Sequence, residues 1–180
     1  MASKQIAYKD GDIEVMGNRM VMPNVKLLAG LILKFDSPDE VYDIYETAKN
    51  TFVEGTASTI GKKYEFDFHG YFEWLTKVAM ILGWGKFTWE LLDEEQKKGV
   101  LIVENSAIGE ALKGKVKVPA DHFVRGMIAG GASVSLKADI DALEEECVGL
   151  GAGRCKFLFK PADQFEQNAQ TALQLRPRKK

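Results

Sequence analysis

The sequence predicts an α+β fold in which helices pack mainly on one side of an antiparallel sheet. Apolar residues recur every three or four positions in residues 37–64 and 67–85, which indicates two amphipathic helices. From residue 87 the period changes to two, which indicates strands, and residues 137–161 have the pattern of a hairpin around a glycine-rich turn. The order helix, helix, strand pair, helix, strand pair favours helices that cover an antiparallel sheet.

The N-terminal part carries one clear turn signal and one ambiguous segment. Asp10-Gly11 lies between two β-prone runs and tolerates positive φ, so residues 6–15 are predicted to form a small hairpin. Residues 25–35, VKLLAGLILKF, are compatible with a strand or a helix, and Gly30 is expected to break either one.

Capping residues mark the ends of the two amphipathic helices. Ser37 and Glu40 have the spacing of a capping box, and Pro38 suits the first turn. Gly83 and Gly85 follow the second helix and are expected to stop it.

A half-buried strand is predicted where Phe87, Trp89 and Leu91 alternate with polar residues. The continuous apolar run VLIV, residues 100–103, predicts a central strand beside it. Residues 119–136 are predicted as a third helix.

Pro119 is expected to open this third helix, which contains a stripe of small residues at Gly126 and Gly130. Each glycine in a helix costs about 1 kcal/mol relative to alanine. Close packing against a strand or a second helix is the expected compensation.

The composition favours one globular domain with a sizeable core, since 46% of the 180 residues are hydrophobic. The net charge of −2 provides no strong field, so neither nucleic acid nor a membrane is an expected partner. The N-terminus lacks an apolar signal core, and we expect a cytoplasmic protein. A single domain is predicted over residues 1–161, followed at 162–180 by a C-terminal helix or a flexible basic tail.

Both cysteines, Cys147 and Cys155, lie at the ends of the last hairpin, on either side of the turn GLGAG. Hairpin ends approach closely enough for a disulfide or a shared metal ion. A cytoplasmic setting argues against a stable disulfide, and the spacing differs from the C-x-x-C of thioredoxin-type pairs. Zinc would need further ligands from Asp, Glu or His. Metal ligation, a disulfide and two buried free thiols all stay open on these residues alone.

Residues 83–160 contain GWG at 83–85, Gly126 with AGG at 129–131, and Glu144-x-x-Cys147 followed after seven residues by Cys155. With these motifs, this part of the chain resembles the 4-vinyl reductase-type domain. This domain is a small-molecule-binding module of archaeal predicted hydrocarbon-binding proteins and of the sensory part of phenol-responsive bacterial transcription activators. The resemblance implies a fold shared with subunits of vesicle-tethering (TRAPP) complexes and with haem-type nitric-oxide sensors, often dimerised through N-terminal helices.

The resemblance implies a structural zinc ion bound by Glu144, Cys147 and Cys155. A third cysteine completes the site in the aromatic-sensing relatives, whereas this chain has Asp121 at that position and His122 next to it. The register favours Asp121. The chemistry favours His122, because zinc readily accepts two thiolates, one imidazole and one carboxylate.

Joint ligation by Glu144 and Cys147 requires an irregular strand. Residues three apart point to opposite faces of a flat strand. We therefore predict a bulge or bend near Glu145.

The resemblance also implies an apolar cavity for a small apolar or aromatic molecule. Bulky apolar side chains are the candidate lining, although residue by residue an ordinary core is the favoured interpretation of the same side chains. His69, Tyr71 or Arg125 would supply the polar groups. The candidate lining residues are Phe68, Tyr71, Phe72, Trp74, Trp84, Phe87, Trp89, Phe123 and Met127.

Three functions are compatible with these features. The favoured one is a small-molecule sensor or carrier domain with a structural zinc site and no catalysis of its own. The alternatives are a subunit of a 4-vinyl reductase-related enzyme and a non-catalytic dimeric scaffold resembling tethering-complex subunits. An enzyme has less support, because no phosphate loop follows a strand and no G-x-S-x-G motif is present. We expect a homodimer and a downstream partner protein that receives the signal.

Overall fold

The computed structural model describes residues 6–15, 18–35, 37–55 and 66–177, and confirms the predicted α+β class. Its two sheets are antiparallel throughout, with strand orders β1-β2-β3 and β4-β5-β7-β6. The strands are β1 Ile6–Lys9, β2 Asp12–Val15, β3 Asn18–Met20, β4 Lys86–Asp93, β5 Lys98–Glu104, β6 Ile140–Glu146 and β7 Cys155–Pro161. The α-helices are α1 Val25–Ile32, α2 Pro38–Gly55, α3 Phe68–Ile81, α4 Ala107–Leu112, α5 His122–Ser135 and α6 Ala169–Ala172.

The N-terminal hairpin is confirmed. Asp10 and Gly11 have φ values of 52° and 89°, as expected for a two-residue turn that follows the twist of its strands. Strand β3, which was not predicted, adds a third strand beside β2. The ambiguous segment is the helix α1, and Gly30 does not break it, because Ala29 and Ile32 anchor one face of the helix in the core.

The capping box at the start of α2 is confirmed. The Ser37 hydroxyl donates to Glu40 Oε2 at 2.7 Å, the Ser37 main-chain N–H donates to the same oxygen at 3.1 Å, and the Glu40 N–H donates back to Ser37 Oγ at 3.4 Å. The helix extends to Gly55. The part of this predicted helix at residues 56–64 lies outside the described residues.

Helix α5 does not begin at Pro119, which corrects that prediction. It begins at His122, because the Asp121 side chain accepts a hydrogen bond from Val124 N and caps the first turn. Helix α4 was not predicted. Its N-cap is Ser106, whose hydroxyl accepts a hydrogen bond from Gly109 N at 3.0 Å.

The glycine stripe of α5 packs against α2, which confirms the predicted reason for it. A methyl group on Gly126 would overlap Ala48, and one on Gly130 would overlap the Lys49 carbonyl oxygen and lie 2.7 Å from Phe52 Cβ. Helices α2 and α5 therefore approach each other more closely than any larger residue permits.

The core lies between the four-stranded sheet and the helices α3 and α5, and β5 is an inner strand as predicted. Phe72 of α3 stacks on Phe159 of β7 with ring centroids 5.5 Å apart, and Trp89 meets the edge of Phe72 at 4.9 Å. Gly99 of β5 makes room for Phe159, since a methyl group there would overlap the ring.

The segment after β7 returns across the helices. It forms a 3-10 turn at Ala162–Gln164 and then the short helix α6. Thr171, Gln174 and Leu175 are buried, and the Tyr42 hydroxyl donates a hydrogen bond to the Ala172 carbonyl oxygen. Within the described ranges, no helix is both long enough and apolar enough to span a lipid bilayer.

Candidate metal centre

The last hairpin, formed by β6 and β7, contains the irregularity that joint ligation requires. Glu144 pairs with Phe157 and Glu146 pairs with Lys156, which leaves Glu145 as an extra residue in β6. Glu145 is exposed, whereas Glu144 and Cys147 are both buried. The predicted bulge is therefore confirmed, and it turns the side chains of Glu144 and Cys147 toward the same interior.

Three candidate ligands converge below this bulge. One carboxylate oxygen of Glu144 and the sulfur atoms of Cys147 and Cys155 all lie within 4.8 Å of one another. Glu144 and Cys155 are 0% exposed and Cys147 is 4% exposed. The two cysteines are not joined by a disulfide. Two thiols and a carboxylate, gathered away from water, have the donor chemistry of a zinc site.

Two glycines provide the space for the sulfur atoms. A methyl group on Gly109 of α4 would lie 3.2 Å from Cys155 Sγ and 2.9 Å from Val148 Cβ. A methyl group on Gly149 would lie 3.3 Å from Cys147 Sγ. Gly109 carries no signal in the sequence, because its relation to the cysteines depends on how α4 packs against the hairpin.

Burial and hydrogen bonding shift the pKa values of the three groups in the cluster. Glu144 Oε2 accepts a hydrogen bond from Asp121 N at 3.0 Å, whereas Glu144 Oε1 has no hydrogen-bond partner. Burial, with a contribution from Cys147, raises the pKa of Glu144 to about 8. A hydrogen bond between the two sulfur atoms lowers the pKa of Cys147 and raises that of Cys155. A divalent ion would stabilise the ionised forms of all three groups and occupy the unpaired oxygen.

Asp121 and His122 lie beside this cluster, but among the described residues neither belongs to the group that converges within 4.8 Å. The Asp121 carboxylate accepts hydrogen bonds from Val124 N at 3.2 Å and from the Ser106 hydroxyl at 3.3 Å. Burial and the charge of Glu144 raise the pKa of Asp121 to about 7. A fourth ligand from either residue stays a prediction.

His122 is 1% exposed, and its Nδ1 atom has no hydrogen-bond partner. Burial, together with the charge of Arg125, lowers the pKa of His122 to about 3. The imidazole is therefore neutral, which is the protonation state that a metal ligand requires.

A buried hydrogen-bond network of polar side chains lies behind the cluster, and the sequence did not predict it. Gln174 is 0% exposed and hydrogen-bonds to the main chain of Glu144 and to the guanidinium of Arg125, which is also 0% exposed. The guanidinium also lies over the Tyr45 ring, 4.3 Å from its centroid. Periodicity offered no signal for Gln174, because it follows a four-residue helix near the C-terminus.

The predicted ligand-lining residues divide between two parts of the core. Phe123 packs in a smaller cluster beside α1 and α4, and Trp84 contacts both clusters, with its ring 6.4 Å from that of Phe123. His69 is exposed, and its ring lies against Phe68. The side chains that lie in or against the main cluster are Phe68, Tyr71, Phe72, Trp74, Phe87, Trp89 and Met127.

Two surface cavities stand out in the described part of the chain. A groove of about 470 Å³ lies between α2, the start of β6 and the C-terminal segment, and its walls include Tyr45, Lys49 and Arg176. A smaller cavity of about 160 Å³ is more apolar and is bordered by Trp84 and Ile108. Trp84 is the predicted lining residue that borders one of these two cavities.

No protein-family model matches the sequence, and no curated protein matches it. Solved structures do match. The phenol-responsive sensory domain of the transcription activator PoxR, crystallised with phenol, has a TM-score of 0.81 and 20% identity, with 98% of this chain and 94% of that chain covered.

Two further structures are similar over most of their length. Trafficking protein particle complex subunit 3 from Naegleria fowleri, covalently bound to palmitic acid, has a TM-score of 0.53 and 12% identity, covering 76% of this chain and 94% of that one. A vinyl-4-reductase family protein from Methanocaldococcus jannaschii has a TM-score of 0.49 and 20% identity, covering 79% of this chain and 82% of that one. The suspected relation is confirmed at the level of the fold, and the chain shares its architecture with the sensory domain of PoxR.

Proposed function

We propose that this protein is a small-molecule sensor or carrier module, without catalysis of its own, whose last hairpin is fastened by a zinc ion bound to Glu144, Cys147 and Cys155. The observation that carries the proposal is the convergence of these three buried donors within 4.8 Å. A fold shared with a phenol-responsive sensory domain supports the sensor part.

The zinc would act as a structural element. It would tie β6 to β7 at the base of the hairpin. The connection between these strands contains one regular element, the 3-10 turn Val148–Leu150. Structural zinc contributes on the order of 10 kcal/mol to the folding of small units. The residues themselves supply two thiolates and one carboxylate, and the unpaired Glu144 Oε1 is available as a ligand.

Elemental analysis of the purified protein tests the metal. We expect about one zinc ion per chain in the wild type, which is the stoichiometry of a single-ion structural site. Glu144→Gln should lower the zinc content, whereas the matched variant Glu145→Gln should keep it, because Glu145 points to solvent and pairs with Lys156 at 3.1 Å. Wild-type protein that stays free of zinc after incubation with excess zinc would rule out the site.

The ligand we propose is a small apolar or aromatic molecule bound among the core aromatic rings. Phe72, Trp89 and Phe159 already contact one another, so a ligand would enter by separating rings that are now in van der Waals contact. The same side chains would then exchange ring–ring contacts for ring–ligand contacts of similar kind, which makes an aromatic guest the best match.

Calorimetric titration with phenol and with toluene tests this ligand class. Met127→Phe enlarges a side chain that is 6% exposed, and it should weaken binding. Met80→Phe is the matched control, because Met80 is 46% exposed. If neither compound binds to the wild type or raises its melting temperature, the ligand class is wrong.

We also propose a homodimer formed through the N-terminal elements. Apolar side chains project from α1 and its flanks, with exposures of 58% for Leu27, 47% for Leu31 and 69% for Met22. Exposed apolar side chains grouped on one element are a feature of association surfaces. A dimer would bury it by placing the same face of two copies together.

A further inference from the structure

The C-terminal residues 166–177, here called the strap, place a polar side chain deep in the protein. Gln174 is fully buried, although most neighbouring strap residues are exposed. Its amide makes two hydrogen bonds to one residue of β6. Glu144 N donates to Gln174 Oε1 at 2.9 Å, and Gln174 Nε2 donates to the Glu144 carbonyl oxygen at 3.1 Å. The side-chain amide thus takes the place of a peptide group in a neighbouring strand.

This pairing lies at the edge of the four-stranded sheet, where main-chain groups have no further strand as a partner. Strand β6 is an edge strand, and Glu144 lies directly before the bulge. Main-chain N–H and C=O groups that are buried without partners cost about 1–3 kcal/mol each. Gln174 satisfies both groups of Glu144, and it fixes the main chain of the residue that we propose as the carboxylate ligand.

Arg125 connects the same amide to helix α5. Its Nη1 donates to Gln174 Oε1 at 2.8 Å, and its Nη2 donates to the Gln174 carbonyl oxygen at 2.9 Å. At the start of α5, Asp121 N donates to Glu144 Oε2. The strap, the glycine-stripe helix and the carboxylate of the metal site therefore belong to one buried hydrogen-bond network.

Two further polar attachments join the strap to α2. One is the hydrogen bond from the buried Tyr42 hydroxyl to the Ala172 carbonyl oxygen, and the other, at Arg176, lies nearer the surface. Arg176 forms ion pairs with Asp39, Asp43 and Glu46 of α2, but their side chains are between 43% and 83% exposed. Exposed ion pairs contribute little to stability. Gln174 is thus the attachment that responds to the position of Glu144.

We propose that Gln174 is a positioning residue of the metal centre, and that metal binding at Glu144 and docking of the strap stabilise each other. This inference rests on the proposed zinc site. Coupling of this kind is reciprocal. A change that loosens the strap must therefore lower the affinity for the metal ion, and removal of the ion must loosen the strap. The strap would then report the state of the site at the surface of the protein, where a downstream partner protein can bind it.

Hydrogen exchange of the wild-type protein, with zinc and after chelation, tests the coupling without any substitution. We expect the amides of residues 166–177 to exchange at least about tenfold faster after chelation. Loss of a residue that hydrogen-bonds to a metal ligand typically lowers metal affinity about 10–100-fold, and reciprocal coupling loosens the strap by the same factor when the metal is removed. Exchange in the strap that is equal in the two states would overturn the inference.

Gln174→Ala tests the residue itself. Zinc affinity, measured by competition with a chromophoric chelator, should fall about 10–100-fold, as is typical when a group that orients a ligand is removed. Gln170→Ala is the matched control, because Gln170 is an exposed strap residue and should keep the wild-type affinity. A Gln174→Ala protein that exchanges rapidly in the strap yet binds zinc as tightly as the wild type would overturn the inference. A wild type that binds no zinc would instead refute the proposed function.

Discussion

Gly130→Ala is the sharpest test of how α2 and α5 pack. The added methyl group would overlap the Lys49 carbonyl oxygen and lie 2.7 Å from Phe52 Cβ and 3.1 Å from Val53 N. Carbon atoms in optimal contact lie about 3.5–4.0 Å apart, so the helices would have to separate by about 1 Å. Two of the three opposing atoms belong to the main chain of α2, which cannot rotate out of the way.

The expected loss follows from two opposing effects. Overpacking costs about 1–3 kcal/mol, and we expect the upper part of that range, about 2–3 kcal/mol, because the overlapped main-chain atoms cannot rotate away. The better helix propensity of alanine returns about 1 kcal/mol. The net loss is about 1–2 kcal/mol, which for a domain of this size lowers the melting temperature by about 2–8 °C. The same substitution at Gly30 should be neutral or stabilising by up to about 1 kcal/mol, because a methyl group there meets no atom within 4 Å.

Urea denaturation followed by circular dichroism measures both free energies of unfolding. The comparison is informative because the two variants differ in position alone. If the Gly130→Ala and Gly30→Ala proteins have equal free energies of unfolding, α2 and α5 do not pack as closely as described.

Three further substitutions test separate parts of the account. Cys155→Ser should lower the melting temperature and make it insensitive to chelator, and a melt unchanged from the wild type would count against the metal. Leu31→Glu should shift the mass measured by light scattering from that of a dimer to that of a monomer. Lys34→Glu, at the exposed end of the same segment, is the control and should remain a dimer. If both variants are dimers, the interface lies elsewhere. Asp121→Ala should cost about 0.5–2 kcal/mol in urea denaturation through loss of the α5 cap, and no loss would contradict its capping role.

Local patterns predicted the elements whose determinants lie close together in the chain. The Asp10-Gly11 hairpin and the Ser37 capping box each depend on residues at most three positions apart. The bulge at Glu145 was also predictable, because the odd spacing of Glu144 and Cys147 is incompatible with a flat strand if both are to point inward.

Features that depend on tertiary contacts were not predictable in the same way. Gly30 was expected to break α1, yet Ala29 and Ile32 pack into the core and outweigh the propensity of a single glycine. Pro119 predicts the start of α5, because a proline favours a first turn, but Asp121 has the side chain that caps the helix. Gln174 gave no signal, since its partners are 30 and 49 residues away.

X-ray absorption at the zinc edge of the zinc-loaded protein tests the central claim most directly, because it counts the sulfur atoms around the ion. We expect two sulfur neighbours at about 2.3 Å, from Cys147 and Cys155, with oxygen or nitrogen neighbours at about 2.0–2.2 Å. A spectrum with oxygen and nitrogen neighbours alone would mean that the ion is bound elsewhere and that the two thiols do not hold it.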